Sequence, residues 1–247
     1  MKTKHLLLAI LGTLTITSYA QASAWEGQPD VVDHLPGAAY IPPGFDDNDH
    51  AQLVIEGVLP NNCFKVGPTD VKVDEIQKVI YVKNSFYYYK EAMCLQMQVP
   101  YEKEVDVGVI PVGQYKVIFT AGSDSKVGYG LMGISKATTK NADNFLYAPV
   151  TSVELLVNTN DKSKVLQLKG EFSNPCMKLK EVKFNHYSYS DVIEVYPIAE
   201  MDSGNCSGTD SRAFQTTLNL KDIPQGRYLV HVRVLNGRAV NKIVKIK

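Results

Sequence analysis

Charge of one sign is what this 247-residue sequence lacks most plainly: 26 lysines and arginines are matched by 26 aspartates and glutamates. No basic block breaks that balance, so nothing offers the bulk charge that a phosphate backbone needs, and nucleic acid is not an expected partner. Beyond residue 24 no run is apolar for the roughly 20 residues that a membrane-spanning helix requires. Helical periodicity is missing too, since no long window carries a sustained apolar stripe. Catalytic signatures are equally absent: the sequence has no His-Glu-x-x-His, no Gly-x-Ser-x-Gly and no cysteine–histidine arrangement. His34, His50, His186 and His231 stand apart from one another, and His231 reads as lying on the polar face of a strand. No cofactor and no catalytic residue is therefore expected, and a hydrolase would need a site assembled from dispersed residues.

The chain opens with MKTKH, runs into LLLAILGTLTIT and reaches the small-residue stretch SYAQASA. That is the three-part pattern of a cleaved export signal over residues 1–24. A cut after Ala22-Ser23-Ala24 leaves a mature chain from Trp25, and Ala20-Gln21-Ala22 offers an earlier cut. Removal of Lys2 and Lys4 leaves 24 basic and 26 acidic side chains. The mature chain is expected to be periplasmic or secreted, without a transmembrane segment. In that setting the four cysteines are expected to pair.

A shift of 113 residues lays the chain on itself. LVIEGVLPNNCFKV (53–66) falls on LQLKGEFSNPCMKL (166–179), matching Gly57 to Gly170, Cys63 to Cys176 and Lys65 to Lys178. KVIYV (78–82) falls on DVIEV (191–195), and IPVGQYKV (110–117) on IPQGRYLV (223–230). Three blocks in one register point to an internal duplication. Cys63 lies 31 residues before Cys94 and Cys176 lies 30 before Cys206. If each copy kept its own pair, the bridges are Cys63–Cys94 and Cys176–Cys206, with an inter-copy pairing such as Cys63–Cys176 as the rival.

The repeated segments alternate with period two. Tyr228, Val230, Val232 and Val234 point one way, and Leu229, His231 and Arg233 the other, as in a half-buried strand with a polar outer face. Asn236-Gly237 supplies a tight turn before a closing strand from Val240 to Ile246. Each copy holds about six or seven short strands, the pattern of a small β-sandwich. LKDIPQGRYLVHVRVLNG, from Leu220 to Gly237, resembles the corner and last hairpin of immunoglobulin-like and fibronectin-III-like domains, through Leu220, Pro224, Gly226 and Tyr228. Val107, Pro111, Gly113 and Tyr115 match it in the first copy. Transthyretin-like domains share a similar turn. The resemblance implies a tyrosine hydroxyl tied to the corner backbone.

The expected architecture is thus all-β: a signal at 1–24, an extended, irregular leader at 25–50, and two tandem immunoglobulin-like β-sandwich domains at 51–140 and 141–247, each with one disulfide. The Gly- and Ser-rich stretch 122–144 is polar, whereas LYAPVTSVELLVNT (146–159) reads as a strand of one of the sandwiches. Three features carry possible recognition. Phe86, Tyr87, Tyr88 and Tyr89 form an aromatic run suited to stacking on a sugar or docking a peptide. Leu59 and Asn61 lie in the turn Leu59-Pro60-Asn61-Asn62 before Cys63, which differs as a whole from Phe172-Ser173-Asn174-Pro175 in the second copy. Asp46, Asp47 and Asp49 could hold calcium, but without the spacing or the glycine of a calcium loop, so no metal site is assigned. The expected function is an exported, non-catalytic binding or adhesion-type module whose partner is a protein or a glycan. An inhibitor or accessory subunit of an exported enzyme is the alternative, and would need a rigid loop with exposed apolar tips near Cys63.

Overall fold

A computed structural model of the chain describes residues 27–90, 92–122, 125–157, 163–201 and 211–247. The expected signal and Cys206 lie outside these residues. All regular structure described is β. In chain order the strands are β1 (Asp30–Asp33), β2 (Ala38–Tyr40), β3 (Phe45–Asp46), β4 (Ala51–Leu59), β5 (Phe64–Asp74), β6 (Val79–Tyr88), β7 (Val99–Gly108), β8 (Gly113–Ala121) and β9 (Ser125–Ser135). They continue with β10 (Val150–Val157), β11 (Lys164–Phe172), β12 (Met177–His186), β13 (Val192–Met201), β14 (Arg212–Asn219), β15 (Gly226–Val234) and β16 (Arg238–Ile246).

The first nine strands form two facing sheets. One has the order β2-β4-β7, and the other is built on β5-β6-β8-β9 with β1 and β3 added at its margins. Leu53, Ile55, Tyr101 and Val105 from one sheet meet Ile80, Val82, Phe86, Tyr115, Val117 and Phe119 from the other in a single buried cluster. The last seven strands repeat this arrangement, with β10-β11-β14 facing β12-β13-β15-β16 over a core that includes Leu166, Leu168, Ile193, Val195, Val230 and Val232. Period-two alternation produces both cores, because each strand turns every second side chain toward the facing sheet.

The pairing registers of the two sets are offset by the same 113 residues as the sequence. Gly57 faces Tyr101, and Gly170 faces Phe214. Val66 faces Phe86, and Leu179 faces Ala199. Val82 lies beside Phe119, and Val195 beside Val232. The repeated glycines have one physical cause: a Cβ on Gly57 would fall 2.7 Å from Tyr101 Cε1, and one on Gly170 would fall 2.5 Å from Phe214 Cζ. An aromatic ring on the neighbouring strand thus lies across the glycine in both sets. The repeated asparagines also share a task, since Asn61 Oδ1 accepts from Cys63 N at 2.9 Å and Asn174 Oδ1 from Cys176 N at 2.8 Å. Each closes an Asx turn that starts the next strand.

The resemblance at the corner is met in the first sandwich, where the Tyr115 hydroxyl donates to Pro111 O at 2.8 Å. The sheets, however, are not those of an all-antiparallel immunoglobulin-like sandwich. β6 and β8 run parallel, as do β13 and β15. Parallel neighbours need a crossover, and the chain makes it by passing through the facing sheet as β7 or β14.

Two expectations, on the leader and on β15, are corrected, and two segments left open are assigned to their sheets. The leader is not irregular: β1 pairs with β6, β2 with β4 and β3 with β9. Its prolines favour extended backbone, and extended backbone at a sheet margin finds partners. Ser125–Ser135, in the Gly- and Ser-rich stretch, is strand β9 and pairs with β8. Val150–Val157 is β10 and belongs to the second sandwich, where it pairs with β11. The outer face of β15 is not polar and solvated, for Leu229, His231 and Arg233 are all buried.

What buries that face is the first sandwich. Tyr40, Val54, Val192, Leu229 and Ile243 form a small apolar cluster where the outer side of β2-β4 meets the outer side of β13-β15-β16. Polar pairs flank it. Arg227 Nε donates to Glu56 Oε1 at 2.7 Å, and the Tyr40 hydroxyl to the same oxygen at 2.8 Å. Burial pushes the Glu56 carboxyl up, but these two donors outweigh it and hold the group below its ordinary value. Asn241 Nδ2 donates to Glu104 Oε1 at 2.6 Å, while its Oδ1 accepts from His231 Nδ1 at 2.8 Å. Deepest of all, Arg233 Nη2 donates to both oxygens of Asp49, at 2.9 and 3.0 Å.

Candidate binding site

The turn after β4 and the chain after β6 are joined by the Cys63–Cys94 disulfide, whose Cα atoms are 5.4 Å apart. Around it the backbone is pinned from several sides. Tyr89 N donates to Cys63 O at 3.0 Å, Ala92 N to Tyr89 O at 3.2 Å, Leu95 N to Asn62 Oδ1 at 2.7 Å and Met97 N to Leu95 O at 2.9 Å. From this clamped segment three apolar side chains stand in solvent: Met93 is 91% exposed, Leu95 59% and Met97 50%. Spaced by two around Cys94, they have no covering strand among the described residues. Solvent-facing apolar groups on a segment held by a disulfide and a side-chain cap would lose little chain entropy on contact with another surface. Methionines suit such a surface, being apolar and able to adapt in shape.

The aromatic run is divided between core and margin. Phe86 is buried, edge-on to Tyr101 at 5.1 Å between ring centroids. Tyr88 stacks on Phe64 at 4.5 Å, Tyr87 faces Val31 of β1, and both Tyr87 and Tyr89 are half-buried. Leu59 is a core residue, and Asn61 is occupied in closing its turn. Neither Phe86 nor Leu59 is placed for contact with a partner. Asn62, next to Asn61, caps the exposed segment instead. Exposed rings do occur elsewhere: Tyr187 and Tyr189, in the turn between β12 and β13, stack at 5.5 Å.

The acidic stretch is spent on structure. Asp49 is taken by Arg233, Asp46 Oδ2 accepts from Asn144 Nδ2 at 3.1 Å, and Asp47 Oδ1 accepts from Ala137 N at 2.8 Å. Lys136 and Ala137 together hold the Asp47 carboxyl below its ordinary value. Among the described residues no group of His, Cys, Asp and Glu is arranged to hold a metal ion.

The histidines are scattered. His34 and His50 are at the surface, and His186 lies edge-on to Tyr228 at 5.3 Å. His231 is fully enclosed, and desolvation, aided by the charge of Arg233 and opposed by Asn241, pushes its imidazole down to about 4. It is a neutral core group at neutral pH.

Met93, Leu95 and Met97 were not among the sequence candidates; the signal that could have found them is the short apolar alternation AMCLQMQV around Cys94, next to which no strand lies among the described residues.

The fold therefore defines a β-sandwich protein with a disulfide, in which two sandwiches pack on each other. A family model described as the ORF11 beta-sandwich domain matches residues 53–127, which run from β4 into β9. No curated protein matches the chain, and no solved structure does. Among the described residues no helix is long and apolar enough to cross a membrane.

Proposed function

We propose that this is an exported, non-catalytic binding module, built from a duplicated sandwich, that engages a protein partner through the clamped segment Ala92–Met97. The observation that carries the proposal is the exposure of Met93, Leu95 and Met97 on a backbone held by Cys63–Cys94 and by the Asn62 cap. A flexible loop with these side chains would lose much of its contact energy to ordering, whereas this one is already ordered. Supporting the duplication are the common 113-residue offset of sequence blocks and pairing registers, the paired glycine–aromatic contacts and the paired Asx turns. By the same parallel, Cys176 is proposed to bridge to Cys206. Export rests on the basic, apolar and small-residue segments of residues 1–24, and an intact mass beginning at Trp25 would support it.

A second reading has support from the same segment. An inhibitor or accessory subunit of an exported enzyme would use an apolar, pre-ordered tip to enter the partner's cleft.

The test is recovery of the tagged mature protein from its producing culture under native conditions, beside the variant Met93→Ser/Leu95→Ser. The wild type should retain a stoichiometric partner that the variant loses, with both melting at the same temperature because neither residue is in the core. Identical recovery from both proteins, or no retained partner from either, would refute the proposal. If the partner is an enzyme, its activity in the complex separates inhibitor from adhesion module.

A further inference from the structure

We propose that a cavity where the two sandwiches meet binds a neutral sugar unit. The cavity, of about 330 Å³, is bounded by the segment between β9 and β10, by β12, β13 and β15, and by Gly44 of the leader. This volume is at the small end of ligand sites and suits one or two sugar rings.

Its walls combine ring faces with amides and hydroxyls. Phe145 stands at the mouth, 48% exposed, although the neighbouring Tyr147 and Ala148 are buried. The Phe145 and Tyr147 rings are 6.0 Å apart, and those of Tyr147 and Tyr196 6.4 Å. Asn185 and Lys183 line the β12 side, and Arg233 the β15 side. A pyranose presents an apolar C–H face and a polar rim of hydroxyls, so a site for it needs both surfaces in one small space.

Two observations select a neutral ligand over an anion. Each lining cation already has its carboxylate: Arg233 has Asp49 at 2.9 Å, and Lys183 has Glu181 at 3.1 Å. Among the described residues Arg233 Nε nevertheless has no hydrogen-bond partner, although the side chain is almost fully buried. An unanswered donor without unanswered charge is matched by a hydroxyl oxygen. Gly44, at a φ of 78°, lets the leader pass close to this wall, for a Cβ there would fall 2.8 Å from Glu194 Oε1 and 3.4 Å from the Tyr196 hydroxyl.

The experiment is a protein-observed NMR titration of the whole mature chain with glucose, galactose, N-acetylglucosamine and their β-1,4-linked dimers, with sulfate as the anionic control. At least one sugar should give saturable shifts centred on residues 144–147 and 183–185. Phe145→Ala should weaken its binding tenfold or more and Asn185→Ala threefold or more, whereas Tyr189→Ala should leave it unchanged. Both lining residues are exposed, and unchanged melting temperatures would confirm that the variants fold. The proposal is overturned if none of the six sugars saturates, if binding survives Phe145→Ala, or if sulfate binds there more tightly than any sugar. Partner capture through Met93 and Leu95 is independent of all these outcomes.

Discussion

Removing the carboxylate of Asp49 should be among the most damaging single changes available to this molecule. Asp49 and Arg233 are almost wholly buried, and the guanidinium donates to both carboxylate oxygens. Asp49 Oδ2 also accepts from Asp46 N at 3.0 Å, so the same carboxylate closes the turn after β3. In Asp49→Ala the buried guanidinium is left charged without its carboxylate, and such a loss costs about 3–5 kcal/mol. At about 2–4 °C for each kcal/mol in a chain of this size, the melting temperature should fall by roughly 6–20 °C. Calorimetry is the assay, because it also registers whether the two sandwiches still unfold together. Wild type should give one transition, and Asp49→Ala a lower one or two separate ones. Asp49→Leu combined with Arg233→Met should regain more than half of the loss, since it leaves no unpaired charge. A single transition within 2 °C of wild type for Asp49→Ala would refute the view that this pair locks the junction.

His231 makes a second prediction, about pH. Its folded pKa lies near 4, below the ordinary value of 6.5, so below pH 6.5 the unfolded chain takes up a proton that the folded chain refuses. Stability should fall as pH is lowered from 6.5 toward 4, by up to about 1.4 kcal/mol per pH unit from this group. Urea titrations between pH 7 and 5 should give a shallower slope for His231→Gln, and parallel slopes would contradict the assignment. Gly57→Ala and Gly170→Ala should each cost about 1–3 kcal/mol by forcing a ring aside, with Gly170→Ala the worse because its Cβ also meets the carbonyl of Pro149. Neutral effects in urea melts would remove the shared role given to these glycines. Replacing both Cys63 and Cys94 by Ala opens a loop of about 30 residues and should lower stability by roughly 3 to 4 kcal/mol. Hydrogen exchange at Leu95 and Met97 should rise with it, and unchanged exchange would mean that the bridge does not order the segment.

The two halves of the chain were legible because a glycine, an asparagine and a cysteine recur at one offset, and each recurs for a local reason: a ring across the glycine and an Asx turn before the cysteine. Strand content was legible from alternation. Alternation also misled at β15, where Leu229, His231 and Arg233 read as a solvated face. Period two reports that one side differs from the other, not what lies against each side, and here the first sandwich does. The leader was misread for a related reason, since its pairing partners lie on strands of three different segments, up to 89 residues away, and leave no local trace. Of the candidate contacts, Phe86 and Leu59 were drawn into the core by the same apolar character that suggested them. Met93 and Leu95 carried no signal beyond a short apolar alternation around Cys94 and were not singled out. The polar junction, with Asp49 184 residues from Arg233, could not be read from either segment alone.

Site-specific photo-crosslinking tests the central claim, that the clamped segment is the surface that meets the partner, most directly. A photoreactive side chain placed in turn at positions 93, 95, 76 and 189 samples four exposed apolar positions, of which Ile76 and Tyr189 lie at the equivalent hairpin tips of the two sandwiches. In the producing culture the same adduct should form from positions 93 and 95 and not from 76 or 189. Adducts confined to 76 or 189, or equal from all four positions, would contradict it.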